Sequence, residues 1–462
     1  MNPPNSVAAS STTGGTSDAR GLALIARFNN VPFSSWHRRA RITMGTATFF
    51  DAFDALSLAF VLPVLKGLWH LSVSEVGWLI SIGYIGQLLG AILFGSMAER
   101  FGRVRSAATA IGLMSVMGLG CVFCGSYGAL LACRFIQGIG VGGEVPVAAV
   151  YISELSPTKA RGRFFLLYEM IFPIGLMCTG QLGAWLVPQY GWHSMFLVGG
   201  IPGLIITACV CFLPESPRWL INRDRHAEAE RIVVQVEAST TARIPSAPDA
   251  GQGLSAPTRG RWAELFSPFY RRRTLVVWVL WFCSYLVSNG LNNWLPTLYR
   301  TVFHLDLGRA LRTASLTNVF QVVATLACAL LIDRWGRRTW AATTYVIAGA
   351  ALLFLGVCGA AAVGRVVFCV TLAYALIGST NAVLYLYTPE IYPTRMRAAG
   401  TGLATAWLRL GSSAGPVLVA SLFTYGGLPP VFLAFGVICI VATVTAWGMV
   451  ETRGRKLEEV AP

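Results

Sequence analysis

Two aspartates three residues apart, Asp51 and Asp54, stand in an otherwise apolar run, Phe49-Phe50-Asp51-Ala52-Phe53-Asp54-Ala55-Leu56. On a helix, residues at i and i+3 share one face, so both carboxyls face the same space. Two carboxylates that close in a partly dry setting do not both ionise readily, and one then takes up a proton, which is the chemistry of a proton carrier. A pair capping a helix mouth, or bonded to an unwound segment, is the structural alternative. Glu144 and Glu169 also stand in apolar runs, and each is a further candidate for a coupling acid. Glu144 follows Gly142-Gly143, where helices pack closely, so a Glu bonded to Arg134 or to a neighbouring backbone is the alternative there. Arg409, in Trp407-Leu408-Arg409-Leu410, carries a planar guanidinium that stays charged at any physiological pH and needs an anion. A carboxylate on a facing helix would serve; so would the carboxylate of a bound molecule, whose two oxygens suit a bidentate pair. The eleven cysteines all lie in apolar stretches, and Cys121-x-x-Cys124 has neither a second pair nor a nearby His, so these are ordinary buried thiols. No nucleophile and base pair, metal cluster or phosphate loop is visible; neither an enzyme nor a bound metal or cofactor is expected.

These groups need elements that hold them in an apolar medium. Of 462 residues, 55% are hydrophobic and 12% charged, about half the charged share of a soluble domain. The net charge of +15 is spread between long uncharged runs rather than gathered on a folded polar domain, which excludes a nucleic-acid surface. A helix needs about 20 mainly apolar residues to cross about 30 Å of hydrocarbon. Such runs fall near 42–66, 76–98, 106–125, 128–152, 163–187 and 193–213, and again near 273–297, 310–333, 339–358, 365–388, 398–425 and 429–450. The expected fold is an all-α membrane protein of twelve transmembrane helices in two six-helix bundles. The division is a disordered cytoplasmic tail at 1–40, bundles at 41–221 and 273–452, a linker at 222–272 between them, and a tail at 453–462. At 1.5 Å per residue Asp51 lies roughly 13 Å into its span and Arg409 roughly 16 Å, too deep for its head to reach water freely. Arg and Lys crowd one set of loops (Arg38, Arg39, Arg41, Arg100, Arg103, Arg105, Lys159, Arg161, Arg163 and Arg271 to Arg273). Both termini are therefore expected in the cytoplasm.

The two halves repeat each other. Glu99-Arg100-Phe101-Gly102-Arg103 recurs as Asp333-Arg334-Trp335-Gly336-Arg337, an offset of 234. Glu154-x-x-Pro157-Thr158-x-x-Arg161 recurs from Glu390 and Glu215 recurs as Glu451, both at an offset of 236. Duplicated bundles of this kind can rock against one another about a site near the bilayer midplane.

On these residues the chain resembles the major facilitator superfamily from about Arg41 to Glu459. Gly95-Ser96-Met97-Ala98-Glu99-Arg100-Phe101-Gly102-Arg103 is similar to its G-x-x-x-D-R-x-G-R signature, and Arg134-Phe135-Ile136-Gln137-Gly138-Ile139-Gly140 to its R-x-x-Q-G-x-G pattern. The resemblance implies a gate in which Glu99, Arg100 and Arg103, with Asp333, Arg334 and Arg337, clamp the two halves shut on the cytoplasmic side; Arg134 is grouped with it. Pro214-Glu215-Ser216-Pro217-Arg218 resembles the sugar porters and their organic-ion and synaptic-vesicle-glycoprotein relatives. The paired-Gln and Gly-Pro motifs of sugar porters are replaced here by Asn289-Gly290-Leu291-Asn292-Asn293 and Ser379-Thr380-Asn381. Phe50-Asp51-Ala52-Phe53-Asp54, Gly142-Gly143-Glu144-Val145-Pro146-Val147-Ala148, Leu167-Tyr168-Glu169 and Arg409-Leu410-Gly411 are similar instead to bacterial niacin permeases.

That narrower resemblance implies an importer in the bacterial inner membrane, driven by protons, for a small aromatic monocarboxylate, nicotinic acid foremost. Arg409 would take the carboxylate. Phe172, Trp281, Tyr285, Trp294 and Tyr385 would offer apolar faces, Asn289, Asn293 and Asn381 polar contacts, and Glu169 would line the cavity. The expected partners are that carboxylate, protons and the lipid bilayer, with no nucleic acid, and the chain is expected to act as a monomer. A benzoate-type or other organic-acid symporter, a sugar or polyol symporter, and a ligand-binding relative that transports nothing are the alternatives.

Overall fold

The computed structural model describes residues 13–32, 34–155, 170–240, 262–359 and 362–453. Among the described residues the chain is helical throughout, without strands. The first half comprises α1 (Thr13–Asn30), α2 (Ser35–Leu68), α3 (Val73–Phe101), α4 (Arg103–Val122), α5 (Tyr127–Leu155), α6 (Ile171–Tyr190) and α7 (His193–Cys211). Two short connecting helices follow, α8 (Pro217–Ile221) and α9 (His226–Ala238). The second half comprises α10 (Pro268–Thr301), α11 (Leu307–Trp335), α12 (Arg337–Cys358), α13 (Val363–Glu390), α14 (Thr394–Gly426) and α15 (Leu428–Trp447). Twelve of these, α2 to α7 and α10 to α15, are long and apolar enough to cross a membrane. With an even number of spans, α2 starts and α15 ends on one face, the terminal face.

The helices break where the local chemistry requires it. Ser72 accepts the Glu75 N–H at 3.2 Å while the Glu75 carboxylate accepts the Ser72 N–H at 2.8 Å, a reciprocal cap that starts α3. Gly102 and Gly336, at φ +107° and +84°, separate α3 from α4 and α11 from α12 in a conformation that only glycine adopts without strain.

The division read from sequence needs three corrections. Residues 13–30 of the supposed disordered tail form α1, because Leu24 buries itself on Trp219, Leu220 and Ala229. Arg20 and Arg27 pair there with Glu230 and Glu237, each at 2.7 Å. The linker at 222–272 contains α9, which supplies those glutamates. The seventh span begins at Pro268 and the first at Ser35, each one turn or more before the apolar run, since basic residues extend the helices past the hydrocarbon. Glu169 and the Pro157–Arg163 segment lie outside the described residues.

The two halves meet along α2 with α10, α3 with α14 and α6 with α11. The last two contacts are related by the duplication.

Candidate functional site

Three helices bring charge to the middle of the molecule, and a fourth, α3, brings a neutral amide. Asp51 and Asp54 on α2, Glu144 and Arg134 on α5, and Gln87 on α3 are all more than nine-tenths buried, and Arg409 on α14 is partly buried. Arg134 donates to the Gln137 side-chain oxygen at 2.7 Å and to the Asp54 backbone carbonyl at 3.4 Å. The Asp54 carboxyl lies within electrostatic reach of that same arginine, while Asp51 lies within reach of Arg409 and of Asp54. The i, i+3 pair is thus divided between two arginines, one in each half, rather than sharing one empty space. Arg409 donates across the junction to the side-chain oxygen of Gln87. A Cβ on Gly138 would collide with the Gly83 backbone, so α3 and α5 touch main chain to main chain. That close approach sets Tyr84 within reach of Arg134, and Gln87 against Gly142 further along α5. Glu144 accepts a hydrogen bond from Thr48 at 3.0 Å. Its suggested pairing with Arg134 does not form: ten residues along α5 separate them by roughly 15 Å.

One face of α3 carries the junction between halves. Gly77 abuts Ala420, Ser81 donates to the Ser413 carbonyl at 2.7 Å, Tyr84 donates to the Asn289 side chain at 2.9 Å, and Gln87 meets Arg409. Asn293 donates to the Tyr84 hydroxyl at 3.1 Å and Asn289 to Ser412 at 2.9 Å. The related seam joins Gln181 of α6 to Ser315 of α11 at 3.3 Å. Both seams lie in the half of the bundle away from the terminal face, so the protein is closed on that side. Sequence reading missed Ser81, Tyr84 and Gln87, although polar residues spaced three or four apart in an apolar span already mark a helix face.

The aromatic candidates divide as well. Trp281 stacks on Tyr285 at 5.6 Å and 21° and meets Tyr385 edge-on at 4.6 Å, with its indole N–H bonded to Thr388 at 2.9 Å. Gly411 lies against Phe282 and Leu286, which puts Arg409 at the level of the Trp281 and Tyr285 turn. Phe172 packs, partly buried, on the same core. Trp294 is fully buried with its N–H on the Pro416 carbonyl at 3.1 Å, so it packs α10 on α14 and lines no open space. Asn289 and Asn293 are engaged in the seam, and Asn381 bonds Ser284 and Ser288 within the second half.

A family model described as "sugar (and other) transporter" matches residues 24–462. The chain belongs to that family, within the major facilitator superfamily. It is 32% identical over 450 residues to a niacin transporter of Acinetobacter baylyi, covering 95% of this chain and all of that protein. It is 28% identical to a 4-hydroxybenzoate transporter of Pseudomonas aeruginosa, over 88% of this chain and 90% of the relative. Its fold matches a solved D-xylose-proton symporter with a TM-score of 0.73 at 18% identity, over 91% of this chain and 100% of the other. The protein is therefore a multi-pass membrane transporter of small molecules and not an enzyme.

At the terminal face of this transporter the duplicated loops fold alike. Arg103 pairs with Glu154 at 3.1 Å, and the Glu215 carboxylate accepts the N–H groups of Arg103 and Val104 at 2.9 and 3.2 Å. In the second half Arg337 pairs with Asp333 and Glu390 at 3.2 and 3.3 Å, and Glu451 accepts the N–H groups of Arg337 and Arg338 at 3.0 and 3.1 Å. Side chains at Gly102 and Gly336 would strike Glu215 and Glu451, which explains the glycines in the motif along with their φ. Burial pushes the Glu215 carboxyl above its ordinary range, opposed by the N–H groups of Ser216, Arg103 and Val104 and the Arg103 charge. Among the described residues every ion pair on this face stays within one half, and Glu99, Arg100 and Arg334 are exposed. The expected clamp between halves is therefore not made in this conformation: with the halves joined on the other side, the loops brace their own bundles. Arg134, grouped with that gate, sits instead in the charged centre.

Proposed function

We propose that the protein imports a small aromatic monocarboxylate, nicotinic acid foremost, together with protons, by alternating access. The observation that carries this reading is Arg409: a planar cation at the junction of the halves, bonded to the neutral amide of Gln87 and level with the Trp281 and Tyr285 rings. A carboxylate offers that guanidinium two charged acceptors in place of one neutral oxygen, and the rings suit a flat partner. Niacin and 4-hydroxybenzoate, for which these two relatives are named, are both aromatic monocarboxylates when ionised. Asp54 beside Arg134 and Asp51 facing Arg409 are the groups that would carry protons. The arginine and lysine distribution supports an orientation with both termini in the cytoplasm of a bacterial inner membrane.

Titration calorimetry of purified protein tests the reading. Nicotinate should bind and nicotinamide bind poorly. Leaving one member of a buried charged pair uncompensated costs about 3 to 5 kcal/mol, and about 1.4 kcal/mol is tenfold in affinity. Arg409→Ala should therefore weaken nicotinate binding at least roughly a hundredfold, and Arg409→Lys should recover only part, since it cannot form the planar fork. Accumulation in vesicles should collapse with a protonophore. Equal affinity for acid and amide, or full nicotinate binding by a folded Arg409→Ala protein, would return Arg409 to a structural role.

A further inference from the structure

We infer that Gln87 is a built-in stand-in for the substrate carboxylate, which holds Arg409 when the halves are joined along α3 and α14 and so lowers affinity on the terminal-face side. This rests on Arg409 as the carboxylate anchor and adds a side-dependent affinity to it. Gln87 belongs to the first half and Arg409 to the second, and their contact is the innermost of a row on one face of α3 that begins at Gly77 and runs through Ser81 and Tyr84. Gln87 is buried and its backbone is fixed by α5, where a Cβ on Gly142 would strike it. Its amide oxygen is thus held in place to meet the guanidinium.

A departing anion would leave a partly buried guanidinium short of hydrogen-bond acceptors, with the Asp51 carboxyl only within electrostatic reach, which opposes release. The amide oxygen takes up that vacancy, as a single neutral acceptor that a carboxylate can still displace. Rocking of the halves, which must part this seam for access from the other face, carries Gln87 away with α3. Arg409 is then left without its competitor, so the same anchor binds more tightly where substrate is captured than where it is released. A ligand with equal affinity for both states could not bias the cycle in this way.

The experiment compares Gln87→Met, which keeps the volume and loses the acceptor, with Gln87→Glu, which would put a permanent carboxylate on Arg409, and with Ser81→Ala as a seam control. In oriented proteoliposomes Gln87→Met should lower the half-saturating nicotinate concentration from the terminal face by roughly ten- to a hundredfold, the scale of one hydrogen bond to a charged group, and leave the other face unchanged. Gln87→Glu should raise it by at least about tenfold, since a charged competitor is stronger than a neutral one. Ser81→Ala weakens the same seam without touching Arg409 and should not tighten binding. Equal shifts on both faces, tightening by Ser81→Ala as large as by Gln87→Met, or weaker binding in Gln87→Met would overturn the stand-in role. Loss of nicotinate binding in Arg409→Ala with no response to Gln87→Met would overturn this inference alone, whereas full binding by Arg409→Ala would overturn the anchor itself.

Discussion

Along the α3–α14 seam Ser81 bonds Ser413 and Gln87 bonds Arg409; along the α6–α11 seam the corresponding positions are Ser315, bonded by Gln181, and Gln321. The numbers follow the repeat, since 315 − 81 and 321 − 87 both equal 234, the offset of the loops from Glu99 to Asp333. The serines keep their task in both seams. The glutamines do not: Gln321 packs on Gly378, and the offset of 236 carries Arg409 back to Pro173, which has no charge to offer. Duplication supplied two equivalent hinge surfaces, and only one of them carries a partly buried cation, which on the proposed reading makes that seam responsive to an anion. The second seam serves as an internal control for the first, with the same architecture and an uncharged residue at the counterpart of Arg409.

The largest effect should come from prying the seams apart. A Cβ on Gly77 would stand 2.7 Å from the Ala420 Cβ, and one on Gly180 would stand 3.1 Å from the Ser315 Cβ. Overpacking of this kind costs about 1 to 3 kcal/mol. Gly77→Val should cut nicotinate uptake at least roughly fivefold and expose a cysteine introduced at Ser81, buried in this conformation, to aqueous reagents. Gly180→Val should act in the same direction and less strongly. A larger effect at Gly180 would make the uncharged seam the dominant closure.

The loops allow a stability comparison of intermediate size. Glu215 and Glu451 each accept two backbone N–H groups at a helix start. Glu215→Gln and Glu451→Gln should each cost about 1 to 3 kcal/mol, read as similar drops in Tm. An acid raised in the folded state holds its proton more tightly folded than unfolded, so the stability it contributes falls as pH rises from the ordinary carboxylate range through its folded value. The margin of the unmodified protein over Glu215→Gln should therefore narrow as pH rises. Tm values that differ widely between the two variants at one pH would show that the repeated loops are not equivalent supports.

The smallest expected effect is the sharpest contrast. Gln321→Met should leave nicotinate affinity unchanged from either face, while Gln87→Met shifts it from one. A shift at Gln321 would mean that the glutamines act through helix packing and not through Arg409.

Much of the scaffold was legible in the chain. Runs of apolar residues long enough to cross a bilayer locate α2 to α7 and α10 to α15, because in lipid every backbone group must be satisfied within a helix. The repeated Glu, Gly and Arg loops revealed the duplication, and ionisable residues in apolar runs singled out Asp51, Asp54, Glu144 and Arg409. Local spacing could not say which charge meets which. Asp51 and Asp54 share a helix face yet have different arginines within reach, and Arg134 passed for a gate residue until α3 and α5 were seen to pack main chain to main chain. Trp294 read as a possible wall of the cavity, whereas its N–H is taken by Pro416 more than a hundred positions away. α1 looked too polar to fold alone, and it takes shape on α8 and α9 from a distant part of the chain. Which helices form is decided by composition within about 20 residues; which side chains face each other across the two halves is decided by packing between segments hundreds of residues apart, and Gln87 acquired its partner only there.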